Sequence, residues 1–179
     1  MYDYLIVGAG LYGAVFIVSG CCGIGFYYRQ RFHTALWHLR YMRQILEMFM
    51  SEIRYDKATL PECCRRVGAV SKEPYGKTLI QIYEEMQEGM GTSFFEKWKQ
   101  NMDKTLKEIP LEAQEKQIFS ELEVSSGSAD SLFQLNVLER RRDLLDISIK
   151  NREENLEKQC RLASGLGIMS GLLLTILLI

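Results

Sequence analysis

Residues 32–53 read FHTALWHLRYMRQILEMFMSEI. Phe32, Leu36, Leu39, Ile45, Leu46, Phe49 and Ile53 recur at helical spacing, with Arg40, Arg43, Glu47 and Glu52 between them. At about 3.6 residues per turn this lays an apolar stripe along one face and charge along the other. An amphipathic helix is the expectation. A strand would need alternation at a period of two, and no such run of any length appears in the chain.

Downstream the same periodicity returns in shorter pieces. Asp56-Lys57-Ala58 breaks the first helix. Thr59-Leu60-Pro61-Glu62 has the form of a capping box with proline in the first turn, opening a short helix toward Val67. Glu73-Pro74 opens a third, carrying Leu79, Ile82, Tyr83 and Met86 and closed by Gly89 or Gly91. Ser93-Phe94-Phe95-Glu96 is a second capping box, followed by the stripe Phe94, Phe95, Trp98, Met102 and Leu106. Pro110 starts a fifth helix that should end near Ser125-Ser126-Gly127, and the last begins around Ser128 and runs to at least Leu162. About six helices joined by short loops make an all-α antiparallel helical bundle the expected architecture.

Working outward to the ends, the charge disappears. All 22 Lys and Arg, and 22 of the 23 acids, lie between Arg29 and Arg161; Asp3 is the exception. Tyr4 to Tyr28 carries no charged side chain and as a helix would reach roughly 37 Å, against about 30 Å for a hydrocarbon core. Leu162 to Ile179 is likewise uncharged and would reach about 27 Å. The chain therefore divides into an N-terminal transmembrane segment over 1–28, a charged helical bundle over 29–161 and a C-terminal transmembrane helix over 162–179. Arg29, Arg31, Arg40 and Arg43 follow the first span, and Lys158 and Arg161 lead into the second. The positive-inside rule then puts the bundle in the cytoplasm and both termini outside. A competing reading makes Val18-Ser19-Gly20-Cys21 a lipoprotein box with Cys21 lipidated, but the basic n-region of a secretory signal is missing. A net charge of −1 gives no bias toward nucleic acid, and none is expected as a partner.

Catalytic patterns fail one by one. Gly8-Ala9-Gly10-Leu11-Tyr12-Gly13 fits GxGxxG, and residues 1–16 resemble the start of UDP-galactopyranose mutase. A dinucleotide fold needs a ribose-binding acid about 20 residues on, yet the next acid after Asp3 is Glu47. Close packing of membrane helices suits these small residues better. Gly76-Lys77-Thr78 matches the end of a P-loop, but Ser71 stands where its first glycine belongs. His33 and His38 lie about 140° apart round a helix and cannot share a metal. Five cysteines, as Cys21-Cys22, Cys63-Cys64 and Cys160, lack CxxC spacing and read as reduced thiols. No enzyme activity, cofactor or metal is expected.

One family resemblance then covers nearly the whole chain. Glu52-Ile53-Arg54-Tyr55 followed by Thr59-Leu60-Pro61-Glu62 resembles a signature of the stage III sporulation protein AB family. Gly23-Ile24-Gly25-Phe26 with its basic tail, the run Gly127, Asp130 and Gln134, and the terminal Gly165-Leu166-Gly167 are similar to it too, although Ala129 stands where a serine is usual. The similarity spans roughly residues 17–179. It implies a structural subunit, akin to the cytoplasmic domain of the type II secretion platform protein, in the mother-cell membrane facing the forespore. Membrane lipid, other subunits of a sporulation channel complex and a cytoplasmic ATPase are the implied partners, with self-association a further option. The candidate contact residues are Glu52, Tyr55, Pro61, Glu62, Gly127, Asp130, Gln134 and the basic cluster Arg140, Arg141 and Arg142. Glu52 and Tyr55 are read first as fixing the turn into Thr59. Glu139, Asp143 and Asp146 are expected to neutralise the arginine cluster at neighbouring helical positions.

Overall fold

The computed structural model describes residues 30–89, 93–122 and 131–178, with side chains over 132–155 in the last stretch. Among the described residues the regular structure is six helices and no strand. They are α1 over 30–56, α2 Leu60–Val70, α3 Tyr75–Gln87, α4 Phe94–Leu106, α5 Ala113–Ser120 and α6 Ser131–Leu178.

The opening stretch is the hub of the bundle. Leu36, Leu39, Ile45, Leu46, Phe49 and Ile53 are all buried, and Ala35, Tyr41, Met42 and Met50 widen that face. Each Leu, Ile or Phe removed from water contributes about 1.5–3 kcal/mol, so α1 supplies much of the apolar stabilisation. Phe32 is only half-buried, at the near end of the helix. At the far end Lys57 takes a left-handed φ of 51°, and its turn lets the Ala58 N–H donate to the Glu52 carbonyl at 3.3 Å. That is the break expected at Asp56-Lys57-Ala58.

Trp98 sits at the centre, 0 % exposed, as its place in the α4 stripe predicts. Its ring meets Phe49 of α1 edge-on at 5.6 Å and Phe119 of α5 at 5.5 Å. Its indole Nε1–H donates to the Phe119 carbonyl at 2.9 Å, so the one polar group of this side chain is satisfied in the core. Beside it, α2 and α3 approach closely. A Cβ on Gly68 would stand 2.9 Å from Ile80 Cγ1, and one on Gly76 2.5 Å from the Ser71 carbonyl. The glycine that resembled a P-loop is thus a packing residue between two helices.

Three local expectations need correcting. Thr59 and Ser93 occupy the N-cap positions of α2 and α4, but neither side chain caps its helix. Glu62, assigned to the first box, turns to arginines instead. The reciprocal arm of such a box forms where none was predicted: the Glu112 N–H donates to Glu115 Oε2 at 2.8 Å at the start of α5. The fifth helix begins at Ala113 rather than Pro110 and ends at Ser120, because a turn closed by the Leu111 N–H on the Ile109 carbonyl takes up the intervening residues.

Among the described residues no helix is long and apolar enough to cross a membrane. The expected span at 1–28 lies outside the described residues. For the one at 162–179 only backbone is described, and α6 continues unbroken to Leu178.

Candidate interaction surface

The chemistry available to this bundle lies in its charges, and they fall into three groups. The first is a seam between α1 and α6. Arg40 meets Glu153 at 2.5 Å, Arg43 meets Asp146 at 2.5 Å and Arg54 meets Glu139 at 2.9 Å. As the α1 number rises the α6 number falls, so the two helices run antiparallel. The start of α1 and the outgoing part of α6 therefore lie at one end of the bundle.

The second group closes that end. Arg152 of α6 is 14 % exposed and donates to Glu115 Oε1 at 2.5 Å and Oε2 at 2.6 Å; Glu115 is 7 % exposed. The fork-on-carboxylate geometry is the strong form of this pair. The guanidinium also lies 5.6 Å from the centre of the Phe32 ring. One side chain thus ties α6 to α5 and to the first turns of α1.

The third group sits at the other end, around the α1–α2 turn. Arg66 Nη1 donates to Glu52 Oε2 at 2.9 Å and to Asp56 Oδ2 at 2.6 Å, while its Nε reaches Glu62 Oε1 at 3.1 Å. Arg65 Nη2 shares the same Glu62 oxygen at 2.5 Å. Hydrogen bonds from Arg65 and then Arg66 hold the Glu62 carboxyl at about 2, well below its ordinary range. Glu52 thus joins the end of α1 to Arg66 of α2, and Pro61 opens α2 where no N–H is needed. Tyr55 does not take part: its side chain is 77 % exposed.

Beside this turn, Ile53, Arg54, Lys57, Leu132, Leu135 and Glu139 line a groove of about 540 Å³. Gln134 lines a narrow cleft with Leu60, Phe95 and Leu122. Gly127 and Asp130 lie outside the described residues. In the arginine cluster the charge of Arg142 is favoured by Asp143 first and then by Asp146 and Glu139. Only Asp143 pairs within it, with Arg142 at 2.7 Å. Glu139 and Asp146 are taken by Arg54 and Arg43 of α1. Arg140 and Arg141 have no carboxylate partner among the described residues, and Arg140 is exposed.

The reactive side chains are held in quiet settings. Burial pushes the Cys63 thiol up to about 12 and Cys64 well above its usual value, so both stay protonated and unreactive. His38 Nδ1 lies 3.0 Å from the Tyr75 hydroxyl, burial lowers the imidazole's pKa, and the pair joins α1 to α3. Among the described residues no three His, Cys, Asp or Glu side chains stand together to hold a metal ion.

A protein-family profile described as stage III sporulation protein AB matches residues 10–179. The chain belongs to the stage III sporulation protein AB family. Stage III sporulation protein AB of Bacillus subtilis (strain 168) is 24 % identical over 168 residues, covering 94 % of this chain and 98 % of that one. A solved structure titled stage III sporulation protein AB (SpoIIIAB) aligns over 70 % of this chain and 98 % of its own, with a TM-score of 0.60 at 17 % identity, which speaks to the fold. Family membership gives the protein a role in sporulation. The match begins at residue 10, earlier than the residue 17 read from the sequence, so Gly10 and Gly13 of the GxGxxG stretch fall inside it. Arg66, Arg152 and Glu115 were missed. Arg66 was legible as the fourth residue after Glu62, whereas nothing in the sequence pairs positions 37 apart.

Proposed function

We propose that this stage III sporulation protein AB relative is a membrane-anchored scaffold subunit of a sporulation channel complex. It acts as an inner-membrane platform that docks a cytoplasmic ATPase and does no chemistry of its own. The antiparallel α1–α6 seam carries the reading. It brings the start of α1 and the outgoing α6 to one end of the bundle, and each continues in sequence into a charge-free run long enough to span a bilayer. Two adjacent spans hold a bundle upright on the membrane more firmly than one, leaving the Arg66 end free in the cytoplasm. By family resemblance the membrane is the mother cell's, facing the forespore.

Arg140 and Arg141 are the docking residues this reading favours. Glu139 and Asp146 pair with α1 and Asp143 with Arg142, so the charge of Arg140 and Arg141 is available to an acidic surface on the motor. The test is crosslinked purification of the full-length protein from sporulating cells, wild type beside Arg140→Glu/Arg141→Glu. The wild type should bring down an ATPase, and the double variant should lose it while remaining in the membrane fraction. An ATPase retained by the double variant puts docking elsewhere. Absence of any partner, with substrate turnover by the purified chain, would contradict the scaffold reading.

A further inference from the structure

At the end of the bundle where α1 begins, the α4–α5 connection stands off from the first turns of α1 and leaves a cleft of about 600 Å³. Arg31 and Thr34 of α1, Lys107 and Glu108 after α4, and Lys116 of α5 line it. Lys116 Nζ donates to the Lys107 carbonyl at 3.2 Å, and Thr34 Oγ1 donates to the Gln30 carbonyl. These backbone contacts leave the positive charges unneutralised. Arg31, Lys107 and Lys116 make no ion pair among the described residues, and Glu108 is the one acid in the lining. What sets the cleft apart is the gathering of three such cations round one cavity with a single acid, whereas Arg40, Arg43, Arg54, Arg65, Arg66, Arg142 and Arg152 each have a carboxylate. Next door, Glu115 is held by Arg152 at 2.5 Å, and Glu112 lies 3.5 Å from the same guanidinium.

The position of the cleft selects among anions. Gln30 in its lining follows the charge-free run Tyr4–Tyr28 by two residues. If that run spans the bilayer, the cleft opens at the level of the headgroups on the bundle side. There three cations gathered round one cavity meet lipid phosphate before they meet a dissolved anion. We infer that the Arg31–Lys107–Lys116 cleft binds the phosphate headgroup of an anionic phospholipid. This rests on the membrane-anchored reading given above.

Full-length protein is reconstituted in nanodiscs of phosphatidylcholine with a minor fraction of phosphatidylglycerol, released gently, and its retained lipid counted by native mass spectrometry. The wild type should retain phosphatidylglycerol in preference to phosphatidylcholine. Arg31→Gln/Lys107→Gln/Lys116→Gln should lose that preference, by about fivefold per cation and roughly a hundredfold for the three. Lys57→Gln/Lys77→Gln/Lys150→Gln removes the same charge from exposed positions outside the cleft and should keep it. If circular dichroism shows the cleft triple variant unfolded, Lys107→Gln alone should give the fivefold loss. Unchanged retention in the cleft variants, or equal loss in the control, overturns the inference. So does displacement of the lipid by millimolar inorganic phosphate, which would make free phosphate the ligand. An alkaline carbonate wash of native membranes separates the two claims. Release of the protein by the wash defeats the anchored reading, whereas a firmly inserted protein without lipid preference defeats only the cleft.

Discussion

Arg152 and Arg66 each bind carboxylates on other helices, yet they sit in opposite physical situations. Arg152 and Glu115 form a fork-shaped pair with most of both side chains out of water, backed by Phe32. Arg66 gathers three acids, Glu52, Asp56 and Glu62, at the surface turn between α1 and α2. Counting ion pairs would rank the Arg66 turn higher. Dielectric reverses the order, because exposed pairs are screened and contribute little, while severing a buried pair strands a charge that has lost its hydration. The lesson is that the strong electrostatic joint is at the end where the chain enters and leaves the bundle. The opposite end is tied by several exposed, individually weak contacts.

The aromatic centre between these ends sets the scale. Trp98→Ala should cost about 3–5 kcal/mol in denaturant unfolding of the full-length protein in mild detergent, since it leaves a cavity and strips the Phe119 carbonyl of its donor. A loss no larger than that of surface variants would contradict the core assignment. Arg152→Ala comes next, at about 2–3 kcal/mol, below the about 3–5 kcal/mol of a fully buried severed pair because the arginine keeps 14 % exposure. Joint replacement of Arg152 by Met and Glu115 by Leu should recover most of that loss, since no charge is then left unpaired. If the double variant is as unstable as Arg152→Ala, the cost lies in packing rather than in the stranded carboxylate.

Arg66→Ala should have a much smaller effect, and one that salt removes, whereas the Arg152→Ala loss should persist at high ionic strength. The smallest effect is a pH signature. Glu62 is held at about 2 in the folded protein, below its ordinary value of 4.5. The carboxylate's contribution is therefore fully present above pH 4.5 and is lost as the pH falls toward about 2. Glu62→Gln should flatten the stability–pH curve across that window, with a small loss near neutrality that vanishes as the pH falls toward about 2. An unchanged acid limb would mean the arginines do not engage Glu62 in solution.

Much of this fold was legible because helical periodicity reports which face of a helix is buried. The stripe from Leu36 to Ile53 and the placement of Trp98 follow from spacing alone. Partnership across the fold was not legible. Gly76 looks like a phosphate-loop fragment until α2 and α3 are laid together. Arg152 and Glu115 are ordinary surface types in one dimension, and become a clamp only once α6 returns along α1. The first capping box failed for a related reason: Glu62 is held by Arg65 and Arg66. At the Arg140 cluster, spacing could not show that Glu139 and Asp146 also pair with Arg54 and Arg43 of α1.

The central claim, a bundle held at one end by two membrane spans, is tested most directly by topology mapping in growing cells. A dual reporter is fused after Ile179 in one strain and inserted near Ser126 in another. The seam of α1 with α6 and the basic residues flanking both charge-free runs predict an extracytoplasmic signal after Ile179 and a cytoplasmic one at Ser126. Cytoplasmic signals from both positions would mean the C-terminal run does not cross the membrane, and would contradict the claim.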